Sequence, residues 1–162
     1  MSKILSVRDL DFLLYEWLDA EALTARPRYT DHSRETFDAA LKTSAQIATD
    51  LFAPHNRKAD LNEPYFDGKN VCLIPEVKSA LDAFSQAGLM AASHDFELGG
   101  MQLPTVIEKA CMAWFMGANV ATAGYPFLTI GNANLLLAHG TQHQIETYVR
   151  PMLQGRFFGT MC

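Results

Sequence analysis

The stretch from Ser33 to Phe52 constrains this chain more than any other. Phe37, Ala40, Leu41, Ser44, Ile47, Ala48, Leu51 and Phe52 recur at helical spacing and mark one face over about five turns. Ser33 is a good N-cap, and Glu35 complements the helix dipole in the first turn. Pro54 is expected to stop the helix, because proline has no N–H to donate and its ring crowds the preceding turn. A stripe this long must be covered by something, so the remaining segments are read for faces that pair with it.

Several do. Ser6 is expected to cap a leader helix running to about Ala20, with Leu10, Leu13, Leu14, Trp17 and Leu18 as its stripe. So short a helix is marginal in water and has to dock. Thr24 to Thr30 reads as a connector, and Ala53 to Ile74 as a long polar connection with turn chemistry at Pro64 and Asp67-Gly68. Pro75 suits the first turn of a helix whose stripe is Val77, Ala80, Leu81 and Phe84, closed by Gly88. The loop from His94 to Gly100 ends in two glycines, which permit a plain turn or a close backbone approach. Pro104 opens a helix lined by Val106, Ile107, Ala110, Cys111, Trp114 and Phe115 and ended by Gly117. Pro126 is expected to begin the next helix, running to about Ala138. Thr141 and Gln144 have capping-box spacing, Ile145, Tyr148 and Val149 continue the stripe, and Pro151 limits that helix. After the Gly155 turn, residues Phe157 to Cys162 form the one good strand candidate. The fold class is therefore all-α: a helical bundle of five to six helices with a short terminal strand-like segment. Short links between the later helices favour antiparallel neighbours.

Composition narrows the function. About half of the 162 residues are apolar (49%) and 19% are charged, which suits a globular core. The net charge of −5, and the absence of a basic run with interleaved aromatics, argue against nucleic acid. No apolar run reaches the roughly 20 residues of a bilayer span, and no secretory signal opens the chain. Cys72, Cys111 and Cys162 are odd in number and far apart, which fits free thiols in a reducing cytoplasm.

Self-contained chemistry is missing. His139 and His143 have a spacing familiar from metal sites, but no third ligand follows and Gly140 breaks the helix that would align them, so no metal is expected. Cys111 lies on an apolar face and reads as a small core hydrophobe. Phosphate-binding glycine loops and a nucleophile elbow are absent, and the carboxylates are scattered. No catalytic residue is assigned. The small residues from Gly117 to Gly131, beside Tyr125 and Phe127, fit either close helix packing or an apolar pocket.

Three stretches in order carry a resemblance. They are Phe84-Ser85-Gln86-Ala87-Gly88-Leu89 with Glu97-Leu98-Gly99-Gly100, then His139-Gly140-Thr141 with Gln144 and Tyr148, then Leu153-Gln154-Gly155 through Gly159-Thr160-Met161-Cys162. Together they resemble the N-terminal helical domain of the acyl-CoA dehydrogenases, with Leu98 where that family usually has tyrosine. The likeness runs from about Ser33 to Cys162. The leader from Leu5 to Leu23 resembles an extra segment of the subgroup that includes the 3-methylmercaptopropionyl-CoA dehydrogenases. The resemblance divides the chain into a leader and connector (1–30), the helical domain (31–156) and the start of a middle β domain (157–162). A chain stopping on Phe157-Phe158-Gly159-Thr160-Met161-Cys162, with no turn and no polar tail, is expected to be the front of a longer polypeptide.

The resemblance implies α,β-dehydrogenation of an acyl-CoA thioester by an FAD-dependent parent, with a glutamate base in a C-terminal domain that this sequence does not contain. The chain by itself is expected to be inactive and to hold no FAD. By register with the family, Met161 and Cys162 would touch the flavin through their backbone, and Ala121, Gly124, Tyr125 and Leu128 would line the acyl pocket. Implied partners are the acyl-CoA substrate and an electron-transfer flavoprotein. The parent would be a homo-oligomer, and this chain would self-associate through apolar surface. Two alternatives stay open: the same fold in an acyl-CoA oxidase or flavin monooxygenase relative, and a free-standing helical binding module.

Overall fold

A computed structural model of the chain describes residues 4–159. The all-α bundle expected from the sequence is what forms. Its elements are α1 (Val7–Asp11), α2 (Arg34–Ile47), α3 (Asn56–Leu61), a hairpin of β1 (Tyr65–Phe66) and β2 (Val71–Cys72), α4 (Pro75–Gln86), α5 (Thr105–Ala118), α6 (Val120–His139), α7 (Gln142–Gln144) and α8 (Arg150–Leu153). α2 lies along α5, α5 along α6, and α8 closes over α6.

The core explains that order. Phe52, Phe84 and Phe115, one each from the end of the α2 segment, α4 and α5, are fully buried. Phe115 meets Phe52 and Phe84 edge-on at 4.9 and 4.7 Å between ring centres. Such pairs add about 0.5–1.5 kcal/mol each beyond their area burial. A second cluster joins Leu14 of the leader to Phe37 and Leu41 of α2 and to Ile107 and Cys111 of α5. A third seats Val149, Met152 and Leu153 against Ala133 of α6.

The caps read from the sequence form. Ser33 Oγ accepts from the Thr36 amide, and the Thr36 side chain answers at the Ser33 amide. Thr141 and Gln144 exchange the same pair of bonds. Gly155, at φ +68°, ends α8 with the amides of Gly155 and Arg156 donating to Met152 and Pro151. That is the left-handed helix end that glycine adopts without Cβ strain.

Prolines are where expectation and structure part. Pro54 does not stop its helix. Ala48–Phe52 opens into a wide turn in which the Ala53 amide bonds to Ala48, and a tight turn over Ala53–His55 leads into α3. The bend removes the need for the N–H that Pro54 lacks. Pro126 does not begin a helix but lies inside α6, which Asn119 starts about two turns earlier. Pro151 does not limit the last helix, which runs on to Leu153. The leader stripe is also broken. Leu14 is buried, but Trp17 is 72% exposed, because the chain leaves the α-helical spacing after Asp11 and bonds Leu18 to Leu13.

The polar connection of 53–74 holds α3 and the hairpin, registered Tyr65 with Cys72 and Phe66 with Val71. Asp67 Oδ1 accepts the amides of Lys69 and Asn70 to close its turn. Phe157–Gly159 form no strand, and Thr160 to Cys162 lie outside the described residues.

Candidate functional site

α6 places Ala121, Gly124, Tyr125 and Leu128 at spacings of three and four, on one face. The four pocket residues inferred by register line a single groove of about 470 Å³, completed by Pro64, Phe158 and Gly159. That volume is within the range of small-molecule sites. A Cβ built on Gly124 would meet no atom within 4 Å, so this glycine faces the open groove rather than a packed neighbour. Tyr125 and Phe158 meet edge-on at 6.1 Å and 74°, forming the aromatic end.

The far wall depends on one buried threonine. Thr129 Oγ1 donates to the Tyr125 carbonyl at 2.7 Å and accepts the Gly159 amide at 3.1 Å. This holds the last described residues along α6 and brings Phe158 to the groove. A Cβ on Gly159 would lie 2.4 Å from Asn132 Nδ2 and 2.9 Å from Met152 Sδ, so a side chain there would have to displace both of these side chains.

The first turn of α6 is held by side chains. Asn119 Oδ1 caps the Thr122 amide at 3.1 Å, while Asn119 Nδ2 donates to the Phe52 carbonyl at 3.2 Å. Thr122 Oγ1 lies 2.8 Å from His55 Nε2, and His55 Nδ1 lies 2.7 Å from the Leu51 carbonyl. A carbonyl only accepts, so Nδ1 carries the proton in the neutral ring and Nε2 accepts from the threonine hydroxyl. His55, Asn119 and Thr122 are each at most 2% exposed. None was singled out in the sequence. The available signal was Asn119, an N-cap residue a few positions ahead of a proline.

Among the described residues no carboxylate, histidine, cysteine or lysine lines the groove. It can bind an apolar chain, and the one ionisable side chain in its described lining is Tyr125. It also lacks a cation or a row of free amides for a diphosphate, so the groove does not fit a flavin dinucleotide. Met161 and Cys162, matched to the flavin contact, lie outside the described residues. Among the described residues no three His, Cys, Asp or Glu side chains group as metal ligands. No helix there is long and apolar enough to cross a membrane.

Elsewhere, Cys111 is buried among Phe37, Leu41 and Ile107, and burial pushes its thiol up to about 11. It is a core hydrophobe. The Gly99-Gly100 loop is a close backbone approach: a Cβ on Gly100 would lie 2.0 Å from the His94 carbonyl oxygen. The connector is tied to this loop through Arg28–Asp95 (2.5 Å) and through His32 Nε2, which lies 2.9 Å from the Met101 carbonyl. His94 is buried, with Nε2 on Asn134 Oδ1 at 3.0 Å, and burial pulls its imidazole below the ordinary range.

The family model described as "Acyl-CoA dehydrogenase, N-terminal domain" matches residues 34–156. A 3-methylmercaptopropionyl-CoA dehydrogenase of Ruegeria pomeroyi is 30% identical over 158 residues, 96% of this chain and 26% of that protein. Two butyryl-CoA dehydrogenases of Syntrophomonas wolfei are 28% and 25% identical over 159 residues, with the same coverage. The chain thus spans about a quarter of the length of the curated relatives it matches.

Proposed function

Because the chain belongs to the acyl-CoA dehydrogenase family, whose N-terminal domain it matches, we propose that it forms the acyl-pocket wall of an FAD-dependent acyl-CoA dehydrogenase. The observation that carries this reading is the single apolar groove shared by Ala121, Gly124, Tyr125 and Leu128. In the proposed reaction a base removes the α-proton of the thioester and the β-hydrogen leaves with its electron pair, giving a trans-2-enoyl-CoA. Bound FAD would supply the hydride acceptor, with Met161 and Cys162 as backbone contacts. An electron-transfer flavoprotein is the proposed next acceptor.

This chain's own part is to bind, orient and exclude water. An acyl chain laid along α6 buries methylenes against Leu128, Tyr125 and Phe158, each worth about 0.8 kcal/mol. That binding energy fixes the Cα–Cβ bond relative to groups outside the groove. The described lining carries no charged residue, so a bound acyl chain displaces water from apolar surface there. The relatives are named for butyryl-CoA and 3-methylmercaptopropionyl-CoA, both short thioesters, and a short acyl group is proposed here too.

The test is turnover of butyryl-CoA and palmitoyl-CoA by the polypeptide carrying this domain, with an artificial electron acceptor. Enoyl-CoA formation from butyryl-CoA, weakened by Gly124→Leu, is expected. Normal turnover by Gly124→Leu would place the acyl chain elsewhere.

A further inference from the structure

We infer that His55 and Thr122 are positioning residues that set the acyl-length preference of the groove, although neither touches it; this rests on the acyl-pocket reading above.

The argument begins with Pro126. It lies inside α6 and has no N–H, so the Thr122 carbonyl receives no backbone bond from it. The turn so weakened, from Thr122 to Pro126, carries Gly124 and Tyr125, and Ala121 precedes it directly. A helix opening at its start, with a proline at its seventh residue, needs another constraint to hold one geometry.

Side chains supply that constraint as a closed circuit. The Phe52 carbonyl accepts from Asn119, Asn119 accepts from the Thr122 amide, the Thr122 hydroxyl donates to His55, and His55 donates to the Leu51 carbonyl. Both ends are neighbouring carbonyls of the bend made by the wide turn before Pro54. Two proline-containing segments are therefore tied to each other, and the Phe52 ring is anchored by Phe115. Phe52, His55, Asn119 and Thr122 are buried, so a partner lost between them is not replaced cheaply by water. Buried imidazole with both nitrogens satisfied is stiff, since its tautomer follows from the Leu51 carbonyl.

The geometric consequence is directional. Loss of the Thr122 hydroxyl leaves Asn119 as the one hydrogen-bonded tie of this circuit between the start of α6 and Phe52, so that end gains freedom, while Thr129 still holds the other end at Gly159. The groove then changes at Ala121 and Gly124 and not at Phe158. A wall free to shift accommodates carbons beyond a short chain, so selectivity relaxes more than affinity for the short substrate.

The test measures dissociation constants of butyryl-CoA and palmitoyl-CoA by calorimetry on the full polypeptide. Wild type, Thr122→Val, Thr122→Ser and Thr122→Cys are compared, with thermal midpoints recorded. Thr122→Val keeps the shape and removes the donor. It is expected to shift the ratio of the two constants about fivefold toward palmitoyl-CoA, as loss of one buried hydrogen bond allows. Thr122→Ser is expected to stay near the wild-type ratio, and Thr122→Cys, a weak donor, to fall between. A lower midpoint with an unchanged ratio in Thr122→Val would overturn the inference and leave a purely structural role. Should that variant not fold, a wild-type ratio in the Cys variant would overturn it equally. Wild type that binds neither thioester would overturn the acyl reading itself, and this inference with it.

Discussion

The Gly159 amide donates to Thr129 Oγ1 across 3.1 Å, and this bond ties the end of the described chain to the middle of α6. Without it, Phe158 loses its seat beside Tyr125 and the groove loses one wall. Thr129→Val preserves volume at a site with no exposure and leaves the Gly159 amide without its partner. A loss of about 1–2 kcal/mol in urea unfolding is expected, with weaker butyryl-CoA binding. Unchanged binding would show that Phe158 is not part of the site.

Tyr125 is the largest side chain on the α6 face of the groove and one half of its aromatic pair. Tyr125→Ala in the full polypeptide is expected to change the kcat/KM ratio of palmitoyl-CoA to butyryl-CoA while leaving flavin content near that of wild type. Absorbance at the flavin band and steady-state kinetics read the two effects separately. Loss of flavin with an unaltered ratio would move Tyr125 from the acyl site to the cofactor site.

Gly155 tests the left-handed turn after α8. A Cβ there would lie 2.1 Å from Ser85 Oγ, and the φ of +68° adds backbone strain. Gly155→Ala is expected to cost about 1–2 kcal/mol from conformation, with a further steric penalty. Adding Ser85→Gly should recover the steric part only. A double variant as stable as wild type would mean that the backbone at 155 carries no strain.

His94 gives a pH dependence with a defined sign. Burial lowers its folded pKa below the ordinary 6.5, so below that pH the unfolded chain binds more protons. The groups facing it are Asn134, Glu108, Asp95 and Arg28, and burial outweighs the two carboxylates. Stability is therefore full above pH 6.5 and falls as the pH drops through the folded value. Urea midpoints are expected to fall from pH 7.5 to 5.5, and to fall less in His94→Gln. An equal fall in both proteins would assign the effect to other groups.

Much of the fold was legible because caps and stripes are local. Ser33 with Thr36, Thr141 with Gln144, and the Gly155 turn act over three or four residues, and each formed where its spacing put it. The stripe of Phe37, Leu41 and Ser44 is buried for the same reason: helical period alone decides which residues share a face. The four pocket residues were named by register with a family rather than by chemistry. Apolar residues at such spacing describe packed cores and grooves alike.

Prolines were the systematic source of error, at 54, 126 and 151. Proline removes one donor and adds one local clash, which sequence reasoning turns into a helix end. Whether the helix ends depends on what else holds the chain, and here distant partners do. Asn119 reaches Phe52, and Thr122 reaches His55, across 67 positions of sequence.

The sequence by itself thus determined the helical class, the helix caps and the buried stripes, since these follow from composition and short-range spacing. Tertiary structure alone decided that α6 runs through Pro126, that Gly124 faces open space while Gly159 is pinched, and that Phe158 meets Tyr125. Those outcomes are set by contacts between segments far apart in the chain. Their energies depend on burial and distance, which no local pattern encodes.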